Sequence, residues 1–117
     1  MKTHKDLIAW QKSLAFVTDI YELTRSYPKD EMYGLINQLR RAAVSVPSNI
    51  AEGAARSTKR EFNQFLHISL GSLSEIETQL FISTNLGYLK REDSEAQLSK
   101  LTEIRRILIG LISSLEK

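Results

Sequence analysis

Apolar residues return every three to four positions along almost the whole chain, and only five glycines and two prolines interrupt them. A recurrence near 3.6 residues is one face of an α-helix, whereas a half-buried strand alternates at every second residue. So few breakers in 117 residues leave room for long helices and little else. On length the chain is one domain, residues 1–117, and 42% apolar residues suffice for one modest core. A chain this short buries a limited share of its surface alone, so association with further copies would help it.

Spaced at about 100° per residue, Leu7, Trp10, Leu14, Val17 and Tyr21 share one face of a first helix, from about Asp6 to Ser26. Pro28 closes it, because the residue before proline is driven out of the helical region. Asp30 and Glu31 suit the positive N-terminal end of a second helix. Its core face is Met32, Leu35, Ile36, Leu39, Ala42, Ala43, Val46 and Ile50. Thr58 followed by Glu61 is a capping-box pattern that opens a third helix. There Phe62, Phe65, Leu66, Leu70, Leu73, Ile76 and Leu80 point inward, and Gly87 suits the residue just past its end. The fourth helix runs from about Arg91 to Leu115 with Leu101, Ile104, Leu108, Leu111, Ile112 and Leu115 inward. These elements predict an all-α fold, an antiparallel up-and-down four-helix bundle.

The second pattern runs straight through Pro47. Proline removes a backbone donor and crowds the carbonyl four residues earlier, at about 3 kcal/mol in a regular helix. Restarting a helix at Pro47 would make Val46 its cap, and valine caps poorly. The expectation is therefore a continuous helix kinked at Pro47, with Ser45 bonding a freed carbonyl. Ser45, Ser48, Asn49 and Glu52 then form a structural polar cluster that repairs the hydrogen bonding and ties the helix to its neighbours.

Two helices carry a further apolar stripe. Phe16, Ile20 and Leu23 lie about 100° or more from the face assigned to the core of helix 1. Ile68, Ile82 and Leu86 do the same on helix 3, with Glu75 and Gln79 between them. Helices that pack against two neighbours explain such stripes, and so does a subunit interface. Contiguous apolar patches are unusual on monomers, which favours the interface.

From Met32 to Arg60 five basic residues, Arg40, Arg41, Arg56, Lys59 and Arg60, face a single acid, Glu52. This local excess of +4 stands in a chain of net charge +2. Lys and Arg supply most nucleic-acid affinity, so the five are candidate contacts to nucleic acid. A solvated charged turn is the competing reading, and Glu52 with Arg56 also makes an ordinary i,i+4 pair. The region is short of aromatic residues for base stacking, Tyr33 being the nearest.

Other chemistries are poorly supported. The absence of cysteine excludes disulfides and thiolate metal sites and fits a reducing cytosol. His4 and His67 are isolated, whereas zinc needs at least three protein ligands. No glycine-rich phosphate loop or nucleophile elbow is present, so no cofactor or catalytic residue is assigned. The longest apolar run, Ile107 to Ile112, interrupted only by Gly110, is far too short to span a bilayer, and MKTHKDLIAW lacks the apolar region of a signal peptide. The expectation is a cytoplasmic protein without a membrane partner.

The runs YGLINQLRRAAVSVPSNIAEGAAR, EFNQFLHISLGSLSEIETQL and NLGYL resemble the small proteins of the bacterial 23S rRNA intervening-sequence family. DLIAWQKSLAFVTDIYELT and the Tyr-Pro-Lys-Asp-Glu turn extend the likeness over nearly the whole chain. Matching positions are Gln38, Arg40, Arg41, Ser45, Pro47, Ser48, Asn49, Glu52 and Gly53, then Gly71, Ser72, Glu75 and Gln79. The resemblance implies an up-and-down four-helix bundle and homopentameric rings, in a family with no established catalytic activity. It also implies a likeness to the accessory variability proteins of diversity-generating retroelements, basic pentamers that associate with nucleic acid and a reverse transcriptase. Lys90 departs from the family pattern, in which Ser, Thr or Asp more often caps helix 4. The resulting expectation is a homo-oligomer that binds RNA through a basic surface; the alternative is an assembly or adaptor ring that binds another protein.

Overall fold

Four α-helices account for most of residues 3–116, the part of the chain described by the computed structural model. They are α1 (Ile8–Thr24), α2 (Leu35–Ala54), α3 (Lys59–Asn85) and α4 (Arg91–Leu115). Short 3-10 helices at His4–Asp6 and Lys29–Glu31 precede α1 and α2, and no strand occurs among the described residues. Contacts of α1 with α2, α2 with α3, α3 with α4 and α4 with α1 close a four-helix bundle. Cross-links between α2 and α3 fall at Gln38–Gln79, Ser45–Ser72 and Val46–Ser69, rising along one helix as they fall along the other. These two helices therefore run antiparallel. So do α1 and α4, joined by Lys12–Glu103 and Asp19–Lys100, each at 2.8 Å. The Lys12 hydrogen bond is the main reason the Glu103 carboxyl titrates below its usual range.

The helix ends follow local chemistry. Thr58 Oγ1 accepts from the Glu61 backbone N–H at 3.1 Å and donates to the Glu61 carboxylate at 3.0 Å, which fixes the start of α3. At the other end Gly87 adopts φ +80°, where a side chain would be strained. Its N–H bonds the Thr84 carbonyl and the Tyr88 N–H bonds that of Ser83, the paired closure of a Schellman motif. Lys90 makes no side-chain cap, so the start of α4 relies on Glu92 and Asp93 in its first turn.

The start of α2 differs from the sequence expectation. Asp30 and Glu31 lie in the separate 3-10 helix, and α2 begins at Leu35. Glu31 still serves the helix end, because its Oε1 accepts from the Leu35 N–H at 3.1 Å. Its Oε2 accepts from the Tyr88 hydroxyl at 2.9 Å, pinning the α3–α4 connection to this cap. That carboxylate raises the Tyr88 phenol above its ordinary value, and burial raises that of the neighbouring Tyr27. Met32, expected in the core, is 47% exposed.

α2 is continuous through Pro47, which is itself buried. Ser45 does not bond a carbonyl freed by the proline. Its hydroxyl accepts from Ser72 and from the Asn49 amide, each at 2.9 Å, while Asn49 also donates to the Ser45 carbonyl at 2.8 Å. Buried Ser69 donates to the Val46 carbonyl at 2.9 Å. The polar residues thus weld α2 to α3. Small side chains and Gly53 let the two backbones approach, and Gly53 sits against Phe62 and Phe65.

The face of α1 is the largest correction. Phe16 and Ile20, assigned to a subunit interface, are 1% and 0% exposed and belong to the core with Ala9 and Ser13. Leu23 is partly buried against the same core. Leu14 and Tyr21, assigned to the core, are exposed. Leu7, Trp10 and Val17 of the expected core face are partly buried against the core, so α1 packs through both stripes, and the fully buried line of Ala9, Ser13, Phe16 and Ile20 lies at the centre of the contact. On α3 the outer stripe does face solvent, since Ile68, Ile82 and Leu86 are 50%, 41% and 54% exposed.

Candidate functional site

The five basic residues separate by environment. Arg40 is half-buried: Nε donates to the Thr24 hydroxyl at 2.9 Å and Nη2 to the Tyr21 carbonyl at 3.4 Å. Its guanidinium also lies 4.6 Å from the centre of the Tyr21 ring, a cation–π contact. Both acceptors sit in the last turn of α1, where a cation is favoured by the helix dipole. Arg56 binds Glu52 at 2.6 Å and covers the Phe65 ring at 4.9 Å. Arg41, Lys59 and Arg60 are exposed and have no acidic partner among the described residues.

These three do not form one patch. Lys59 and Arg60 open α3 at the end of the bundle, whereas Arg41 stands on the outward side of α2. About 20 Å of helix separates Arg41 from the end of α2. Arg40 and Arg41 nevertheless border one furrow between α1 and α2, of about 620 Å³. Asn37, Ser48 and Asn49 supply further polar groups there, and no carboxylate lines it. A second polar furrow, about 470 Å³, lies between α2 and α3, shares Asn37, Arg41 and Ser45 with the first, and is lined by the Glu75 carboxylate as well. Tyr33 borders it and is 93% exposed, so a large aromatic face stands in solvent beside Arg41.

The polar cluster is also divided by the structure. Ser45 and Asn49 bond each other and Ser45 meets α3, but Ser48 is exposed. Glu52 is exposed and held by Arg56 one turn along the chain. His4 packs edge-on against Trp10 at 5.1 Å and His67 is exposed. Among the described residues no three His, Cys, Asp or Glu converge in a metal-binding group.

On the outer side of α3, Ile68, Glu75 and Ile82 repeat at seven-residue spacing beside Leu86, so the exposed apolar side chains form a stripe with one carboxylate at its middle. Gln79, at the edge of this face, is buried against α2. Its amide donates to Gln38 Oε1 at 3.4 Å, while its own oxygen has no hydrogen-bond partner. Sequence spacing identifies Ile68, Ile82 and Leu86. It carries no signal for the contacts of Arg40 with Tyr21 and Thr24, which are side-by-side only after α1 and α2 pack.

Among the described residues no helix is long and apolar enough to cross a membrane. A family model described as 23S rRNA-intervening sequence protein matches residues 5–110. No curated protein matches the chain. Among solved structures, the chain is similar to a Bacteroides thetaiotaomicron protein of unknown function from the S23 ribosomal protein family. The two share 28% identity at a TM-score of 0.85, over 93% of this chain and 98% of the other.

Proposed function

Because the chain belongs to the 23S rRNA-intervening sequence protein family, we propose that it is a non-enzymatic, homo-oligomeric bundle that binds nucleic acid, RNA above all, through phosphate contacts. The observation that carries this reading is that Arg41, Lys59 and Arg60 are exposed without an acidic partner among the described residues. Cations not engaged by a carboxylate are free to displace the counterions of a phosphate chain. Repeated around an assembly, Lys59 with Arg60 at the bundle end and Arg41 on its side become two separate rows of positive groups. Arg40 and Arg56 have defined structural partners and contribute less to this term.

Binding to a structured RNA should weaken steeply with salt. Three phosphate contacts per chain predict roughly a 40-fold loss between about 50 and 200 mM salt. Reversing Lys59 and Arg60 to Glu leaves one contact and reduces that dependence to about fourfold. Filter binding across a salt series measures both, and absence of binding by the unaltered protein at low salt overturns the proposal.

The assembly part rests on the exposed α3 stripe. Ile82→Glu should place a charge within an interface and convert an oligomer to a folded monomer. Light scattering coupled to gel filtration, with circular dichroism to verify folding, reads this directly. A monomeric unaltered protein at micromolar concentration would sink it. The adaptor alternative is favoured by the same stripe; protein captured equally well after nuclease treatment, with no RNA binding, would select it.

A further inference from the structure

We infer that the furrow between α1 and α2 is a seat for an unpaired nucleotide of a single RNA strand. Its base stacks on the outward face of the Arg40 guanidinium, and its phosphate meets Arg41. This rests on the nucleic-acid reading above but assigns a site and a strand form that electrostatics alone does not. Three observations carry it.

The first is that Arg40 is oriented before any ligand arrives. The Thr24 hydroxyl and Tyr21 carbonyl hold one edge of the guanidinium, while its central carbon sits over the Tyr21 ring, 4.6 Å from the ring centre. A planar cation held in this way is a platform on which a base can stack, and unstacked bases are recognised by such planes. Little side-chain freedom remains to be lost on binding.

The second is the lining. The furrow brings together two arginines, the Ser48 hydroxyl and the Asn37 and Asn49 side chains, without a carboxylate to repel phosphate. Arg41 is not engaged by an acid, so it can form a charge-assisted pair with a phosphate oxygen. Ser48 and Asn37 offer hydrogen bonds to sugar or base edges. Asn49 is already committed to Ser45 through its amide nitrogen, leaving its oxygen as the group to accept a bond.

The third is shape and extent. Asn37 and Ser48 lie on one outward side of α2, separated by about 16 Å of helix, a length that suits consecutive nucleotides better than one small metabolite. The adjoining furrow adds the solvent-facing Tyr33 as a place for the next base; Glu75 lines that furrow too, so the phosphate stays on the Arg41 side. A duplex keeps its bases stacked inside and cannot use either aromatic or guanidinium plane.

The test compares anisotropy of a labelled single-stranded RNA with that of a duplex of the same length. Arg40→Lys keeps the charge but loses the plane, and Ser48→Glu places a carboxylate at an exposed point of the furrow. Each should weaken single-strand binding roughly tenfold and leave duplex binding nearly unchanged. Arg40 also ties α1 to α2, so its variant is checked by thermal melting; Ser48→Glu requires no change in the core. Reversing Lys59 and Arg60 should weaken both RNAs together.

If single-strand affinity survives both furrow variants within about twofold, the furrow is not the seat, while phosphate binding elsewhere stands. Equal losses for single strand and duplex likewise overturn the proposal. If Ser48→Glu breaks the oligomer and leaves RNA affinity unchanged, this face belongs to a subunit contact and the proposal fails. If the unaltered protein binds neither RNA, both this inference and the proposed function fall.

Discussion

Replacement of Phe16 by alanine is expected to destabilise the protein by about 3–5 kcal/mol, enough to unfold a marginal domain. Phe16 is 1% exposed and sits in the same core as Ile20, Leu66, Leu73 and Leu108. Truncation removes its burial and leaves a cavity that rigid helices can close only in part. Leu14→Ala, on the exposed side of the same helix, should alter stability by less than about 1 kcal/mol. Urea denaturation of the two variants distinguishes the faces. Comparable losses, or a folded Phe16→Ala protein that merely becomes monomeric, would return Phe16 to a subunit interface.

Gly53→Ala should also destabilise, against the ordinary helical trend. In an open helix the exchange of glycine for alanine stabilises by about 0.5–1 kcal/mol. At Gly53 the added Cβ would lie 2.7 Å from Phe65 Cβ, 2.9 Å from Phe62 Cδ1 and 3.2 Å from the Phe62 carbonyl oxygen. Two of these atoms are fixed by the α3 backbone, so the helices must separate. Overpacking of this kind costs about 1–3 kcal/mol and exceeds the gain in propensity. At Gly110 an added methyl would meet nothing within 4 Å, so Gly110→Ala should show the ordinary gain. A thermal-melting series should move the two variants in opposite directions; stabilisation by Gly53→Ala would disprove the close approach.

Where an element is set by neighbouring residues, it is readable in the sequence. Thr58 and Glu61 cap α3, Gly87 ends it, and α4 occupies Arg91–Leu115 as its pattern predicts. The Glu52–Arg56 pair at i,i+4 is present as expected. Local signals are less decisive at the start of α2. Asp30 and Glu31 satisfy the charge rule for a helix N-terminus, yet only the Glu31 side chain reaches α2.

The candidate site is legible as a set of residue types and not as an arrangement. Adjacency on a helix dictates that Arg40 and Arg41 point in different directions, but nothing in their spacing reveals that Thr24 and Tyr21 immobilise one of them. Tyr33 stands out in the sequence as the nearest aromatic residue, while its 93% exposure is a consequence of where the α1–α2 connection turns. The serines at 69 and 72 become informative only once they are opposite Val46 and Ser45.

Periodicity by itself determined that this chain forms four long helices, because side-chain spacing along a helix is fixed by 3.6 residues per turn. Residue chemistry along the chain also located both ends of α3 and the basic excess of residues 32–60. Only the tertiary structure decided which residues of the two apolar stripes on α1 are fully buried and which cations remain free. Those outcomes depend on how closely neighbouring helices can approach and on partners distant in sequence, neither of which is encoded in the period of a single helix.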